Sequence, residues 1–471
     1  MKPVLFFASL AAVLAADSTR RVVSLDINKP PVSLSLLDRR RGLGSYSQVI
    51  SNNITAQRYY ADVTIGTPPQ HITLTVDTGS SDTWVVDKST DGCEEDRCLT
   101  LFVELIITGW EQMGLVTTVS EAGSGILGLG LRAGEAPPGD YPNIMDLFYD
   151  QGLIGTKAFS LYLNALESPS GTILFGGVDK SKYTGELLAV PLGPTAATLK
   201  YSSCYIALNS LSMSFGNGTT SPAFNYVPTS VLLDSGTTLT YLPNSTVQRL
   251  YEALGVPVEG SASRGGADDG DLALVDCGIL DDAERKAWTF DFRFGRPDGP
   301  FIRVPLHQMI IDLRPYAHEN GANMCRLGIV RSPSINNDSS EINILGDTFL
   351  RSAYVVFDLT NNQVALAQVK PNATAAADGS DIVEFGQDAT AIPGVSGAAS
   401  GITTTGLPGG AGRPLPTVTV TDSSSVDAAA TSATGNLAPR SAPGPDWSLL
   451  GMETLTGLGI LAGSTLLNLR V

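Results

Sequence analysis

Short runs of alternating apolar and polar residues, separated by Gly, Pro, Asn and Ser, make up most of the central part of this chain. Residues 61–65 and 72–76 alternate in this way, with the breakers Gly66-Thr67-Pro68-Pro69 between them. Such alternation predicts two half-buried strands joined by a turn. Apolar runs at 172–177 and 353–358 are also typical of strands, whereas helical periodicity is confined to stretches such as 143–151 and 245–254. The pattern predicts a mostly β protein.

One pattern occurs twice: an apolar strand that ends in Asp, followed by a hydroxyl residue, Gly and another hydroxyl residue. The two copies are Val76-Asp77-Thr78-Gly79-Ser80-Ser81 and Leu233-Asp234-Ser235-Gly236-Thr237-Thr238. Each copy is followed by an apolar pair capped by Gly, at 125–130 and at 343–347. Glycine at such a place lets another backbone approach closely. We therefore expect two similar β lobes, each presenting a carboxylate at a strand end.

Composition narrows the classes of function. The chain has 471 residues and a net charge of −17, so it is long enough for two or three structural units and is an unsuitable partner for nucleic-acid phosphates. It has only three histidines, His71, His307 and His318, and they do not have metal-ligand spacing. Neither a Gly-Xaa-Ser-Xaa-Gly elbow nor a phosphate-binding loop is present. No metal and no cofactor are expected.

The N-terminus has the pattern of a targeting segment. Lys2 precedes the apolar run 4–14, and Val13-Leu14-Ala15 supplies small residues for cleavage, which predicts a signal peptide over 1–15. The alternative is a buried N-terminal strand. Residues 16–41 end in Arg39-Arg40-Arg41 and are interpreted as a propeptide with a processing site, although a solvated charge cluster would have the same composition. The protein is expected to enter the secretory pathway.

Secretion permits disulfides. Cys93 and Cys98 can close a tight local loop, and Cys277 and Cys325 can close a loop of 48 positions. Cys204 is then left over. Cys204 is either buried, paired with a cysteine of another molecule, or left unpaired because its partner cysteine has been lost.

The two Asp motifs, together with Trp84 and the segment 344–351, resemble those of the pepsin-like aspartic endopeptidases over about 59–369. Segments 344–351 and 359–368 are most similar to the fungal yapsin and candidapepsin branch. The resemblance implies a bilobal, mostly β acid-protease fold with a cleft between an N-terminal lobe (42–195) and a C-terminal lobe (196–370). It also implies a monomer that cuts extended polypeptides, without a cofactor, and relatives in this branch favour basic residues next to the cut.

The resemblance assigns roles to single residues. Asp77 and Asp234 would be the catalytic pair, two carboxylates that share one proton and activate a water at acidic pH; aspartic proteases are the standard example of such a pair. Supporting roles around the pair follow in the same way for Thr78, Gly79, Ser80, Ser235, Gly236, Thr237 and Trp84.

One departure from the family concerns the flap, a hairpin that carries a Tyr. Only 48 positions separate Asp77 from Gly125, and no Tyr occurs between them. The flap region of the N-terminal lobe is therefore expected to be missing, either by divergence or because a coding segment has been omitted. Two functions stay open: an active endopeptidase, or a catalytically impaired scaffold that serves as a surface glycoprotein or binding module.

The C-terminal part is rich in Ala, Gly, Ser, Thr and Pro, which predicts a flexible, O-glycosylated stalk over 371–445. Residues 446–471 have the pattern of a signal for a glycosylphosphatidylinositol anchor, with Asn436 or Ser441 as attachment sites, to plasma membrane or cell wall. A transmembrane helix and a free soluble tail are the alternatives. N-glycosylation sequons occur at Asn53, Asn217, Asn244, Asn337 and Asn372.

Overall fold

A computed structural model of the protein describes fifteen stretches of the chain. They are residues 23–28, 59–65, 70–88, 98–99, 113–116, 124–136, 141–168, 170–194, 200–225, 227–256, 273–312, 318–319, 322–332, 342–374 and 379–395.

Strands dominate the described residues, as the alternation predicts. Those in the first half of the chain are β1 (Val23–Asn28), β2 (Tyr60–Ile65), β3 (Gln70–Asp77), β4 (Trp84–Asp87), β5 (Cys98–Leu99), β6 (Gly114–Val116), β7 (Gly125–Gly128), β8 (Ala158–Tyr162), β9 (Ser170–Phe175), β10 (Gly177–Asp179), β11 (Tyr183–Pro191) and β12 (Tyr205–Ser214). Those in the second half are β13 (Thr229–Leu233), β14 (Thr240–Leu242), β15 (Leu274–Asp276), β16 (Thr289–Phe294), β17 (Phe301–Pro305), β18 (Ile310–Asp312), β19 (His318–Glu319), β20 (Ala322–Leu327), β21 (Ile329–Arg331), β22 (Ile344–Leu345), β23 (Ala353–Asp358), β24 (Gln363–Val369) and β25 (Ile382–Glu384).

Helices are short and few in the described part. The α-helices are α1 (Ile144–Asp150), α2 (Asn244–Leu254) and α3 (Asp347–Leu350), and single 3-10 turns cover Arg132–Gly134, Lys180–Lys182, Cys277–Leu280, Arg285–Ala287 and Leu306–Met309. Asn143 caps α1, because its side chain accepts from the backbone N–H groups of Met145 and Asp146. The two helices expected from periodicity are thus confirmed as α1 and α2.

Three sheets carry the architecture. A six-stranded sheet has the order β1-β9-β8-β23-β24-β11 and combines strands from both halves of the chain. Each half also has a sheet of its own, β2-β3-β7-β4-β5 with β6 on β4 in the first and β17-β16-β12-β13-β22-β14-β21 in the second. Strands β2 and β3 pair antiparallel, as predicted from their alternation. The expected fold class, mostly β with two similar lobes, is confirmed.

The six-stranded sheet separates two apolar clusters. Along β23, Val355 and Phe357 belong to the large core that also holds Val76 and Leu233 of the Asp-bearing strands. The alternate residue Tyr354 belongs to a second, smaller cluster. Because side chains alternate across a strand, the small cluster lies on the sheet face away from the Asp turns.

Two segments predicted to lie outside the lobes pair with strands of the fold. Residues 23–28 lie inside the predicted propeptide, and they form the edge strand β1 of the six-stranded sheet, paired with β9. The stalk predicted from residue 371 onward is wrong for 379–395, because β25 pairs with β10 and both Phe385 and Ile392 are buried there. The stalk prediction rested on the overall composition and gave no weight to these two apolar residues, which pack against the fold.

Among the described residues, no helix combines the length and the apolar character that crossing a membrane would take.

Candidate active site

The same strand arrangement delivers both Asp residues. Strand β3 ends at Asp77 and runs parallel to β7, while β4 returns antiparallel on the other side of β7. In the second half, β13 runs parallel to β22 and β14 returns antiparallel to it. The Asp77 carbonyl accepts from Leu129 N–H at 2.8 Å, and Asp234 N–H donates to the Leu345 carbonyl at 3.2 Å. The Gly-capped apolar pairs noticed in the sequence are therefore the strands that hold the Asp turns.

Each Asp carboxyl packs against the glycine of the opposite turn. A Cβ atom placed on Gly79 would lie 2.5 Å from Cγ of Asp234, and one placed on Gly236 would lie 2.6 Å from Oδ1 of Asp77. An added Cβ closer than 3.0 Å would force the facing carboxyl to shift. Glycine is required in both turns because the two carboxyls occupy the space that a side chain would need.

Each carboxyl also receives hydrogen bonds from its own turn. Asp77 Oδ1 accepts from Gly79 N–H at 2.8 Å, and its Oδ2 accepts from the Ser80 hydroxyl. Asp234 Oδ1 accepts from Gly236 N–H and its Oδ2 from the Thr237 hydroxyl, both at 2.7 Å. The two sets are equivalent, so both carboxyl planes are fixed by the same pair of donors.

Four further hydrogen bonds join one turn to the other. The Thr78 hydroxyl donates to the Leu233 carbonyl at 3.0 Å and accepts from Ser235 N–H at 3.0 Å. The Ser235 hydroxyl donates to the Val76 carbonyl at 2.9 Å and accepts from Thr78 N–H at 3.2 Å. All of these groups are buried, which makes the bonds costly to lose. The two lobes are thus fastened together directly beneath the carboxyls.

The two carboxyls interact electrostatically in a buried site. Asp77 and Asp234 are each 1% exposed. Burial, and next the nearby Asp77 carboxyl, raise the pKa of Asp234 well above its usual range, against smaller opposing effects of the Thr237 and Gly236 hydrogen bonds. A raised pKa keeps the proton on Asp234 at acidic pH. The pair can therefore hold one proton while offering a second carboxyl group as an acceptor.

Two other groups near this site carry pKa shifts. Burial raises the pKa of Tyr205, and Asp234 adds to the shift. Burial also raises the pKa of Tyr241, with Arg326 opposing the shift and Asp234 adding to it. Both phenols therefore stay protonated at acidic and neutral pH and remain hydrogen-bond donors close to Asp234.

Trp84 and Asp82 follow the first Asp turn. Trp84 begins β4, is half-buried, and pairs with Gly114 of β6. Sequence reasoning missed Asp82: its carboxyl accepts from the Tyr141 hydroxyl and, at 3.0 Å, from Ala136 N–H. It therefore ties the first turn to the loops after β7. Its place directly after the motif was the available signal.

The remaining predicted residues are distributed over the molecule. Cys277, in the 3-10 turn directly after β15, and Cys325 of β20 form a disulfide. Of the three alternatives for Cys204, the structure gives burial, and this raises the pKa of its thiol to about 12. The sequons at Asn217, Asn244 and Asn372 are exposed. Several predicted residues lie outside the described part of the chain: Asn53, Cys93, Asn337, Asn436, Ser441 and the side chain of Cys98.

A metal site does not emerge from the part of the chain that the structure describes. No group of three or more His, Cys, Asp and Glu side chains there could hold an ion. His71 and His307 are exposed and lie in different elements, and His318 lies in β19.

Comparison with known proteins supplies the family context. A family model described as "Eukaryotic aspartyl protease" matches residues 58–104 and 100–369. The "Probable aspartic-type endopeptidase opsB" of Aspergillus oryzae is 33% identical over 83% of this chain and 84% of its own. "Secreted aspartic protease 1" of Candida albicans is 30% identical over 79% of this chain and 97% of its own.

One solved structure supports the fold. The aspartic proteinase from Irpex lacteus superposes with a TM-score of 0.51 at 21% identity, over 70% of this chain and 98% of that one. At this identity the likeness concerns the fold alone.

Proposed function

We propose, from the premise that this chain belongs to the eukaryotic aspartyl protease family, that Asp77 and Asp234 are its catalytic pair. The family and the relatives make the chain an aspartic-type endopeptidase, a hydrolase whose substrate is polypeptide. The observation that carries the residue assignment is the mutual packing of the two carboxyls, each over the glycine of the other turn. Two buried carboxyls in this arrangement cannot both ionise cheaply, so they share a proton.

The shared proton divides the roles of the two carboxyls. Asp234, whose pKa is raised, carries the proton and donates it to the oxygen of the scissile carbonyl. Asp77 accepts a proton from the attacking water, whose oxygen bonds to the carbonyl carbon. Collapse of the tetrahedral intermediate breaks the C–N bond, and the proton held by Asp77 passes to the leaving nitrogen. Asp234 regains its proton from the intermediate, which closes the cycle without metal or covalent intermediate.

The neighbouring groups act by position. Gly79 N–H and the Ser80 hydroxyl hold Asp77, and Gly236 N–H and the Thr237 hydroxyl hold Asp234. Misplacement by about 1 Å can cost roughly 100-fold in rate. Fixing both carboxyl planes in advance therefore contributes directly to catalysis.

The same electrostatics predict the working range of pH. The proposed mechanism needs a protonated Asp234, and activity is lost as the pH rises through its pKa. Because that pKa is raised, the active range extends from acidic pH upward beyond the usual titration range of a carboxyl.

The proposal includes secretion and attachment to the cell surface. An apolar leader at 4–14, an acidic composition and a C-terminal apolar tail support it. The Candida albicans relative is named a secreted protease. Cleavage near Ala15 and near Arg41, and a lipid anchor at Asn436 or Ser441, are the specific sites proposed, and the mature protein acts as a monomer.

The second candidate function is an impaired scaffold that serves as a surface glycoprotein or binding module. It is favoured by the 48 positions between Asp77 and Gly125, and by the division of the family match into two segments that meet at 100–104. Loss of a flap would admit water and weaken the hold on substrate. Sequencing the transcript between Cys98 and Leu101 would show whether the flap was lost by divergence or whether its coding segment was omitted from the sequence.

Hydrolysis of a peptide pool at pH 4 by the purified full chain tests the proposal. We expect cleavage by the wild type and by Asp298→Asn, a control at a side chain 72% exposed. Asp77→Asn and Asp234→Asn are expected to lose it. An inactive wild type that is folded would favour the scaffold, and an active Asp77→Asn would overturn the residue assignment.

A further inference from the structure

Residues 379–395, which we name the clasp, lie beyond residue 369, where the family match ends. Within the clasp, β25 pairs antiparallel with β10, and Val395 bridges to Leu187 of β11. The clasp therefore adds two contacts to strands of the catalytic fold at points well separated along its length.

Backbone hydrogen bonds fasten the first half of the clasp. Lys180 N–H donates to the Asp381 carbonyl at 2.9 Å, and Phe385 N–H donates to the Gly176 carbonyl at 2.9 Å. Both bonds lie beside the β10–β25 pairing. They extend the ladder at either end of the short strand.

A second group of hydrogen bonds surrounds Thr156. Its hydroxyl donates to the Gly386 carbonyl at 2.9 Å and accepts from Ala389 N–H at 3.0 Å. The neighbouring Gly155 carbonyl accepts from Asp388 N–H at 2.8 Å. Thr156 itself is fully buried, so these bonds are shielded from water.

Apolar contacts show which face the clasp covers. Phe385 and Ile392 are buried in the small cluster that contains Tyr354. That cluster lies on the face of the six-stranded sheet away from the Asp turns, since the alternate residues Val355 and Phe357 point into the main core. The clasp therefore covers the sheet face away from the Asp turns.

The clasp backbone packs so closely against Gly155 that a side chain there would clash with it. A Cβ atom on Gly155 would lie 2.7 Å from the carbonyl oxygens of both Phe385 and Gly386, and its three nearest atoms all belong to the clasp. Gly386, by contrast, has open space around an added Cβ. The pair offers a matched test: the same Gly→Ala change, with and without a collision.

We propose that docking of the clasp on the sheet face opposite the Asp turns protects residues 379–395 from cleavage by endopeptidases. The clasp thereby keeps the C-terminal tail connected to the folded domain. An endopeptidase needs its substrate extended and free, and hydrogen-bonded, partly buried backbone cannot be bound in that way. The clasp is the last stretch of the chain that the structure describes, and the residues after it are rich in Gly, Ala, Ser, Thr and Pro. Protection from the protein's own activity rests on the proposed function, whereas docking and protection from another protease do not.

The test uses the full chain in an Asp77→Asn background, so that the result does not depend on its own activity. Amide hydrogen exchange over 379–395 is measured together with cleavage by a short pulse of added pepsin. We expect the clasp amides to exchange at least about 10-fold more slowly than a free peptide of the same sequence. Gly155→Ala should remove this protection and expose the clasp to pepsin, and Gly386→Ala should match the parent.

Exchange of β23 and β24 shows whether each variant has folded. If Gly155→Ala fails to fold, Phe385→Ala takes its place, because it removes the main buried contact of the clasp without a collision. Clasp amides that exchange like free peptide in the parent, or a folded clasp variant whose exchange and cleavage are unchanged, would overturn the proposal. Inactivity of the wild type would count against the proposed function alone.

Discussion

The first lobe places the partner strand of its Asp turn 48 positions after Asp77, at Gly125, whereas the second lobe places it 110 positions after Asp234, at Ile344. Among the described residues, the chain between Asp234 and Ile344 holds α2, the Cys277–Cys325 disulfide and the strands β14 to β21. The two turns are nevertheless alike, donor for donor. The likeness of the two turns therefore does not depend on the length of chain between each Asp and its partner strand.

The two turns together create one electrostatic site. Both carboxyls are buried, and burial together with the facing Asp77 carboxyl raises the pKa of Asp234 well above its usual range. Two like turns can therefore hold one proton between two buried carboxyls. A protonated and an ionised carboxyl side by side are what a general acid and a general base require.

Removing either carboxyl should have the largest effect and should break the likeness of the turns. We expect Asp77→Asn and Asp234→Asn each to lower kcat/KM by about 10²- to 10⁴-fold, the usual worth of a general acid or base. Steady-state kinetics on a peptide substrate measure this. A variant that keeps more than a tenth of the activity would show that its Asp is outside the chemistry.

Replacing the glycine of each turn by alanine tests whether each carboxyl packs against the opposite turn. Gly79→Ala should push against Asp234 and Gly236→Ala against Asp77, so each is expected to lower activity by about 100-fold. Gly386→Ala, which meets nothing, is the control. Equal activity of all three variants in the peptide assay would contradict the cross-packing.

Unfolding by denaturant compares the two hydroxyls that join the turns. Thr78→Val and Ser235→Ala each leave buried partners without a hydrogen bond, so each should lower the free energy of unfolding by about 1–3 kcal/mol. The double variant should cost less than the sum, because the bonds form one network. Ser235→Thr keeps the hydroxyl and should be close to wild type; additive losses would mean that the two hydroxyls act independently.

The smallest expected effect is a change in the pH dependence of stability, and it tests the titration of Asp234. Since the folded pKa of Asp234 is raised, its contribution to stability is complete below the unfolded value of about 4 and is lost as pH rises through the folded pKa. Tm of the wild type should therefore fall over that range. Asp234→Asn should flatten this part of the profile, and an unchanged slope would show that Asp234 does not titrate as described.

Much of the fold and of the candidate site could be predicted from the sequence because the informative signals are local. The strand alternation, the repeated Asp motif and the two Gly-capped pairs gave the lobes, and the folded core matches the family over almost the same span as the resemblance, 58–369. The docking of 379–395 escaped prediction, since it depends on two buried residues, Phe385 and Ile392, in a polar, breaker-rich context. The role of Asp82 escaped for a similar reason: its partner Tyr141 is 59 positions away, and only the fold brings them together.

Carbon-13 NMR titration of the Asp carboxyls tests the central claim most directly, that two like turns force a pair of acids to share one proton. In the wild type, Asp234 should titrate well above the ordinary range of an aspartic acid, and in Asp77→Asn its pKa should fall toward the ordinary value because the neighbouring charge is gone. An Asp234 that titrates in the ordinary range, or whose titration is unaffected by Asp77→Asn, would contradict the account.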